Sequence, residues 1–183
     1  MKIYIVGEDA VKQNDFENRK SFKKKILTMM LPTKTIGNIE LLKLPKTAFL
    51  CSRKAPASAV LKCYDWATMM REQGKCVVSG FHSPVEKDVL HFLLKGRQPV
   101  ILVLGRLLYE KLPDEFIKPL SENRLLIISV SNNVRQSEQS TDLRNQYIVE
   151  IADKVVFGFL HPQGKLYAMV QQMKDSEKEV CML

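Results

Sequence analysis

Cations and small residues able to hold a phosphate recur in this sequence at the ends of short apolar runs. Ser52-Arg53-Lys54 follows TAFLC, Ser79-Gly80-Phe81-His82 closes KCVVS, Gly105-Arg106 closes PVILVL, and Gly164-Lys165 comes shortly after KVVFGF. Arg144-Asn145 opens a helical stretch after the polar segment SNNVRQSEQST. A guanidinium grips phosphate through two parallel N–H donors, and small residues beside a helix N-terminus let backbone N–H groups approach an anion. The turn at Ser79-Gly80, with Pro84 at the next helix start, predicts such a cradle. The Asn145 amide suits a base edge or a helix cap, and the Phe81 ring suits a base or the core. His82 and His161 stand at strand ends, within reach of a phosphate or a base. Carboxylates are scarce in this set, so the pattern predicts binding of an anion rather than acid–base catalysis.

Other chemistries lack their residues. No glycine-rich dinucleotide fingerprint or P-loop is present, and Gly7 is followed by Glu8-Asp9 where a phosphate would have to lie. No nucleophile elbow surrounds Ser52 or Ser79. His82, His91 and His161 have no metal-ligand spacing, and Cys51, Cys63, Cys76 and Cys181 form no CxxC pair. Neither a metal nor a cofactor is expected, and the scattered thiols fit a reduced, cytoplasmic protein. No apolar run is long enough to span a bilayer, and MKIYIVGEDA does not read as a signal peptide. With 28 Lys and Arg against 20 Asp and Glu, the 183-residue chain carries a net charge of +8, which attracts polyanions. The first 46 residues hold ten of the cations and five of the anions.

Five apolar runs must position these groups: TAFLCSR, KCVVSGF, PVILVLGR, RLLIISVS and KVVFGF. Continuous Val/Ile/Leu runs are the mark of strands buried on both faces of a parallel sheet. Helical spacing over Ala57–Gln73, from Pro84 to Gly96, over Leu143–Ala152 and over Gly164–Met173, with a shorter segment at Pro113–Leu120, supplies the crossovers. Right-handed crossovers bring the strands' C-terminal ends, and with them the cations, to one edge. The expected organisation is an N-terminal extension over 1–31 (a KIYIVG strand and a basic amphipathic segment), a doubly wound α/β domain over 32–175 and a tail over 176–183. IGNIELLKL reads as a turn and a short apolar lead-in, and residues 131–141 as a polar surface loop or lid.

From about Pro32 to Gln172 the order of motifs resembles the DprA/Smf family of DNA-processing proteins. IGNIELLKLPKTAFLCSRK is similar to that family's lead-in strand and Gly-Ser-Arg, with Cys51 in place of the glycine and Ser52 and Arg53 matching. SGFHSPVEKDVLHFLLKG lies over its Ser-Gly-Leu-Ala-Arg-Gly-Ile-Asp helix start, with Ser83, Pro84 and Glu86 where the family has arginine, glycine and aspartate. VILVLGRLLYEKLP, DLRNQYIVEIADKVVFGF and QGKL lie over its remaining motifs, Arg144-Asn145 matching an Arg-Asn pair. The resemblance implies a three-layer Rossmann-like α/β fold with a mostly parallel sheet. It also implies binding of single-stranded DNA in DNA processing or recombination, a homodimer, and a recombinase partner. The same superfamily contains the LONELY GUY phosphoribohydrolases, whose glycine-rich loop and glutamate are replaced here around His161-Pro162-Gln163-Gly164. A nucleotide-sensing module and a nucleoside monophosphate phosphoribohydrolase are therefore the alternatives to DNA binding.

Overall fold

Each of the five apolar runs forms a strand in the computed structural model, which describes residues 34–173 and 178–183. In chain order the strands are β1 Lys34–Gly37, β2 Lys46–Cys51, β3 Cys76–Ser79, β4 Val100–Leu104, β5 Leu125–Ser129, β6 Lys154–Phe159 and β7 Glu179–Met182. The helices are α1 Ala57–Glu72, α2 Pro84–Leu94, α3 Asp114–Ser121, α4 Glu138–Ile151 and α5 Lys165–Met173. The sheet runs β1-β5-β4-β3-β2-β6-β7, with β1 antiparallel to β5 and every other neighbour parallel. The chain steps outward from β2 through β3 and β4 to β5, then returns to β6 on the other side of β2. That reversal places the topological switch point between β2 and β6, where open α/β sheets bind ligands.

Both faces of the sheet are covered, which is why the strands carry no polar alternation. Phe49, Val77, Leu102, Ile127 and Val156 point into one core with Cys63 and Trp66 of α1, Val89 and Leu93 of α2, and Phe116 of α3. The alternate positions Ala48, Leu50, Val78, Ile101 and Leu126 are equally buried, and α4 packs across β2 and β4. Side chains of successive strand residues leave opposite faces, so the apolar run serves two cores at once. Phe49 stacks on Trp66 with 4.7 Å between ring centroids, fixing α1 over β2.

Three boundaries differ from the sequence reading. Lys34–Gly37, at the head of the lead-in, is an antiparallel edge strand, and Ile39–Lys43 is a 3₁₀ turn capped by the Asn38 side chain. Within the segment read as a tail, Glu179–Met182 pairs with β6. The helix expected from Leu143 starts at Glu138 instead. The Ser137 hydroxyl accepts from the Ser140 N–H at 3.1 Å and the Ser140 hydroxyl from the Ser137 N–H at 2.9 Å, a reciprocal cap that starts α4 inside the polar segment. The expected KIYIVG strand and basic amphipathic segment lie outside the described residues.

Candidate nucleic-acid interface

A crevice of about 720 Å³ opens at the β2/β6 switch point. Its floor is built by the ends of these two strands. The Ser52 N–H donates to Phe159 O at 2.9 Å, and the Ser52 hydroxyl accepts from the His161 N–H at 3.0 Å. Ser52 therefore ties the two strand ends together, while Arg53 and Lys54 extend past them into the opening. Gly164, at the head of α5, donates its N–H to His161 O at 2.8 Å and closes the turn on the β6 side.

The cradle expected at Ser79-Gly80 is occupied by the protein itself. Glu86, buried in the first turn of α2, accepts from the Cys51 N–H at 2.9 Å through one carboxylate oxygen. Its other oxygen accepts from the N–H groups of His82 at 2.8 Å and Ser83 at 3.1 Å. With the Ser83 hydroxyl accepting from the Glu86 N–H, this is a capping box that also reaches across to β2. The donors that would have faced a phosphate face a carboxylate. Ser79 is fully buried, its hydroxyl accepting from the Phe81 N–H at 3.2 Å. The signal for Glu86 is legible as Ser-x-x-Glu around a proline at the first helical position.

Arg144 lies in the second turn of α4 rather than at a helix start, and it is only 4% exposed. Its Nε and Nη2 both donate to the Asn145 side-chain oxygen, at 3.1 and 2.9 Å. Its aliphatic and guanidinium atoms run directly over Gly80: a Cβ built there would lie 2.5 Å from Nε and 2.7 Å from Cζ. Gly80 therefore admits an arginine rather than an anion. Gly105 does the same for α4, since a Cβ there would lie 2.7 Å from Ser140 O. Burial pulls the Arg144 pKa down, and the carboxylates of Glu86 and Asp142 oppose the shift. An arginine stays protonated under such conditions, so a charge is held in the wall of the crevice.

His82 records the resulting field. Its Nε2 is 3.4 Å from an Arg53 Nη, and its pKa is held below the usual value first by burial and then by Arg144, Arg53, Lys87 and Arg106. These four cations come from four elements of the chain. Lys165 contributes less than the sequence suggested, because Glu138 and Asp142 hold its ammonium at 2.6 and 2.8 Å. Arg106 and Phe81 line an adjoining recess rather than the crevice, and Phe81 is packed in the core, as the second of its two sequence readings expected. The structure thus gathers Ser52, Arg53, His82, Arg144, Asn145, Gly164 and Lys165 at the crevice and leaves Ser79, Gly80 and Gly105 as packing positions beneath it. Gln136, Ser137 and Thr141, read as loop, form its far wall. Glu150 does not line the crevice, and both oxygens of Glu86 accept backbone N–H groups.

The sequence model of the family described as DNA recombination-mediator protein A matches residues 21–176. No curated protein sequence gives a significant match. Among solved structures, DNA processing protein A (DprA) from Streptococcus pneumoniae superposes with a TM-score of 0.66 at 18% identity, over 81% of this chain and 53% of that one. This chain therefore spans about half the length of that protein. DNA processing protein A from Helicobacter pylori, solved to describe its single-stranded DNA binding mode, gives 0.67 at 16% identity over 86% and 76% of the two chains. The molybdenum cofactor binding protein from Rippkaea orientalis gives 0.54 at 15% identity, over 76% of each chain. At these identities the likeness is one of fold.

Proposed function

The chain belongs to the DNA recombination-mediator protein A family, and from that premise we propose that it binds single-stranded DNA in DNA processing or recombination, with the phosphates lying in the β2/β6 crevice. One observation carries the reading: Arg53 and Arg144, from separate parts of the chain, line one crevice together with His82, whose Nε2 lies 3.4 Å from an Arg53 Nη. The carboxylates of the crevice wall, Glu86 and Glu138, are meanwhile engaged by donors of the protein. Arg53 and Arg144 take phosphate oxygens, His82 and the Asn145 amide supply further polar contacts, and Ser52 and Gly164 shape the floor. Lys54 and the ion-paired Lys165 stand at the mouth. Binding without turnover is the activity this arrangement supports. Family membership further supports a homodimer and a recombinase partner, which light scattering and a recombinase pull-down test.

Two substitutions test the crevice by different routes. Arg144→Ala removes the cation, and anisotropy titration with labelled oligo-dT is expected to show at least tenfold weaker binding with a salt slope shallower by about one. Gly80→Ala keeps every charge but places a methyl group against the Arg144 guanidinium, and is expected to weaken binding through displacement alone. Full affinity in both variants would place the site elsewhere.

A further inference from the structure

Two thiols meet under the floor of the crevice, and the phosphate reading makes no use of either. α1 is the crossover between the parallel strands β2 and β3, so it runs back against the direction of β2. Phe49 of β2 and Trp66 of α1 are stacked, 4.7 Å between ring centroids. From Phe49, Cys51 is the next residue on the same face of the strand, about 7 Å further on. From Trp66, Cys63 is one turn back on the same face of the helix, about 4.5 Å in that same direction. The stacked rings therefore set Cys51 and Cys63 opposite each other, and both free thiols lie in one core.

β6 fixes the same meeting from the other side. Leu50 pairs with Phe157 and Cys51 with Phe159, which leaves Gly158 as an extra residue beside Cys51. A Cβ built on Gly158 would lie 2.5 Å from the Cys63 sulfur, so Cys63 fills the space that this glycine leaves open. The two thiols interact: their contact holds the Cys63 pKa below the ordinary thiol value and, ahead of burial, pushes that of Cys51 up. Cys51 also lines the crevice, and its Sγ donates to Ser52 O at 3.6 Å.

We propose that Cys51 and Cys63 are an oxidation site, at which a peroxide entering from the crevice forms a disulfide that weakens the crevice's hold on DNA. The inference rests on the crevice reading. The Cys63 thiolate attacks one peroxide oxygen and the O–O bond breaks, giving a sulfenic acid and, with a proton, water. Cys51 then attacks the sulfenic sulfur, and a second water leaves as the S–S bond forms. The two thiols together lose two electrons and two protons, and the peroxide takes both. A sulfur–sulfur bond of about 2.05 Å replaces a nonbonded contact, so the end of β2 shifts toward α1. Oxidation also removes the hydrogen that Cys51 donates to Ser52 O, and Ser52 is the residue that ties β2 to β6 at the floor. Arg53 follows it directly in the chain. A strand lying in the crevice covers Cys51, so binding and oxidation oppose each other.

The test titrates the full chain with labelled oligo-dT before and after hydrogen peroxide, and locates disulfides by tryptic mapping without reduction. Arg53 and Lys62 put the two cysteines on different peptides. Those peptides are expected to be joined, with affinity lower by roughly fivefold or more and restored by dithiothreitol. Cys63→Ala and Cys51→Ala are each expected to keep the affinity of the reduced wild type and to lose the response to peroxide, whereas Cys181→Ser keeps the response. Saturating oligo-dT is expected to slow formation of the bridge. No joined peptides, unchanged affinity in the bridged protein, or a response that survives Cys63→Ala overturns the proposal and leaves the crevice standing. A bridge that forms in a chain whose reduced form does not bind oligo-dT overturns the crevice reading, and the switch with it.

Discussion

Glu86 is the residue on which the local architecture turns, since one carboxylate accepts three backbone N–H groups from β2's end and α2's start. Glu86→Ala would leave those buried donors without an acceptor, and is expected to cost about 3 kcal/mol in urea denaturation, with Glu86→Gln intermediate because one oxygen remains. An unchanged midpoint would show that water replaces the carboxylate without loss. His82 gives a pH signature with a definite sign. Burial and four cations depress its pKa in the free protein, and a bound phosphate opposes them, so binding takes up a proton. Affinity for oligo-dT should therefore rise as pH falls from about 7.5 to about 5.5, and His82→Gln should flatten the profile. For folding, a histidine whose folded pKa is depressed contributes stability that is full above the unfolded value of about 6.5 and declines as pH falls below it. A profile that weakens toward acid would contradict the placement of His82 among cations.

Elements explain which parts of this molecule were legible. Strands β2 to β6 announced themselves because burial on both faces leaves only apolar residues, and α2 because Pro84 and Gly96 bracket a helical period. β1 and β7 are edge strands with exposed positions, so their sequences carry no continuous apolar run. The early start of α4 was hidden because its first turn is polar and its cap pairs two serines rather than serine with glutamate. That shift moved Arg144 from a helix start into the wall of the crevice, while the gathering of Arg53, Arg144 and Asn145 at one edge followed from strand order and was readable. The capping role of Glu86 toward His82 and Ser83 is local and legible as Ser-x-x-Glu, whereas its bond to the Cys51 N–H, 35 residues away, is set by the packing of α2 on β2. β7 is tied down by Lys178, whose ammonium donates to the carbonyls of Val149, Glu150 and Ala152 at 2.6, 2.7 and 2.9 Å at the end of α4. Lys178→Met should destabilise the domain by about 1–3 kcal/mol and raise amide exchange in Glu179–Met182 ahead of the central strands. Exchange that rises uniformly would mean that β7 and the core open together.

At the scale of the whole molecule, the sheet order places the ends of β2 and β6 at the switch point, and the helix crossing back over the sheet delivers Arg144 to the same place. Among the described residues no helix is long and apolar enough to cross a membrane, and no group of three metal-ligating side chains forms. What the described residues do offer at the ligand edge of the sheet is a concave site lined by Arg53, His82 and Arg144. A chain with a net charge of +8 would attract any polyanion weakly, so the discriminating quantity is the contrast between ligands rather than affinity alone. The most direct measurement is a set of anisotropy titrations of the wild-type chain with oligo-dT, a duplex of equal length and a labelled mononucleotide across a salt series. The account predicts that oligo-dT binds most tightly, with log affinity falling linearly in log salt at a slope of about −0.7 for each phosphate held. Equal affinity for duplex and single strand, or tight binding of the mononucleotide with none for oligo-dT, would contradict it.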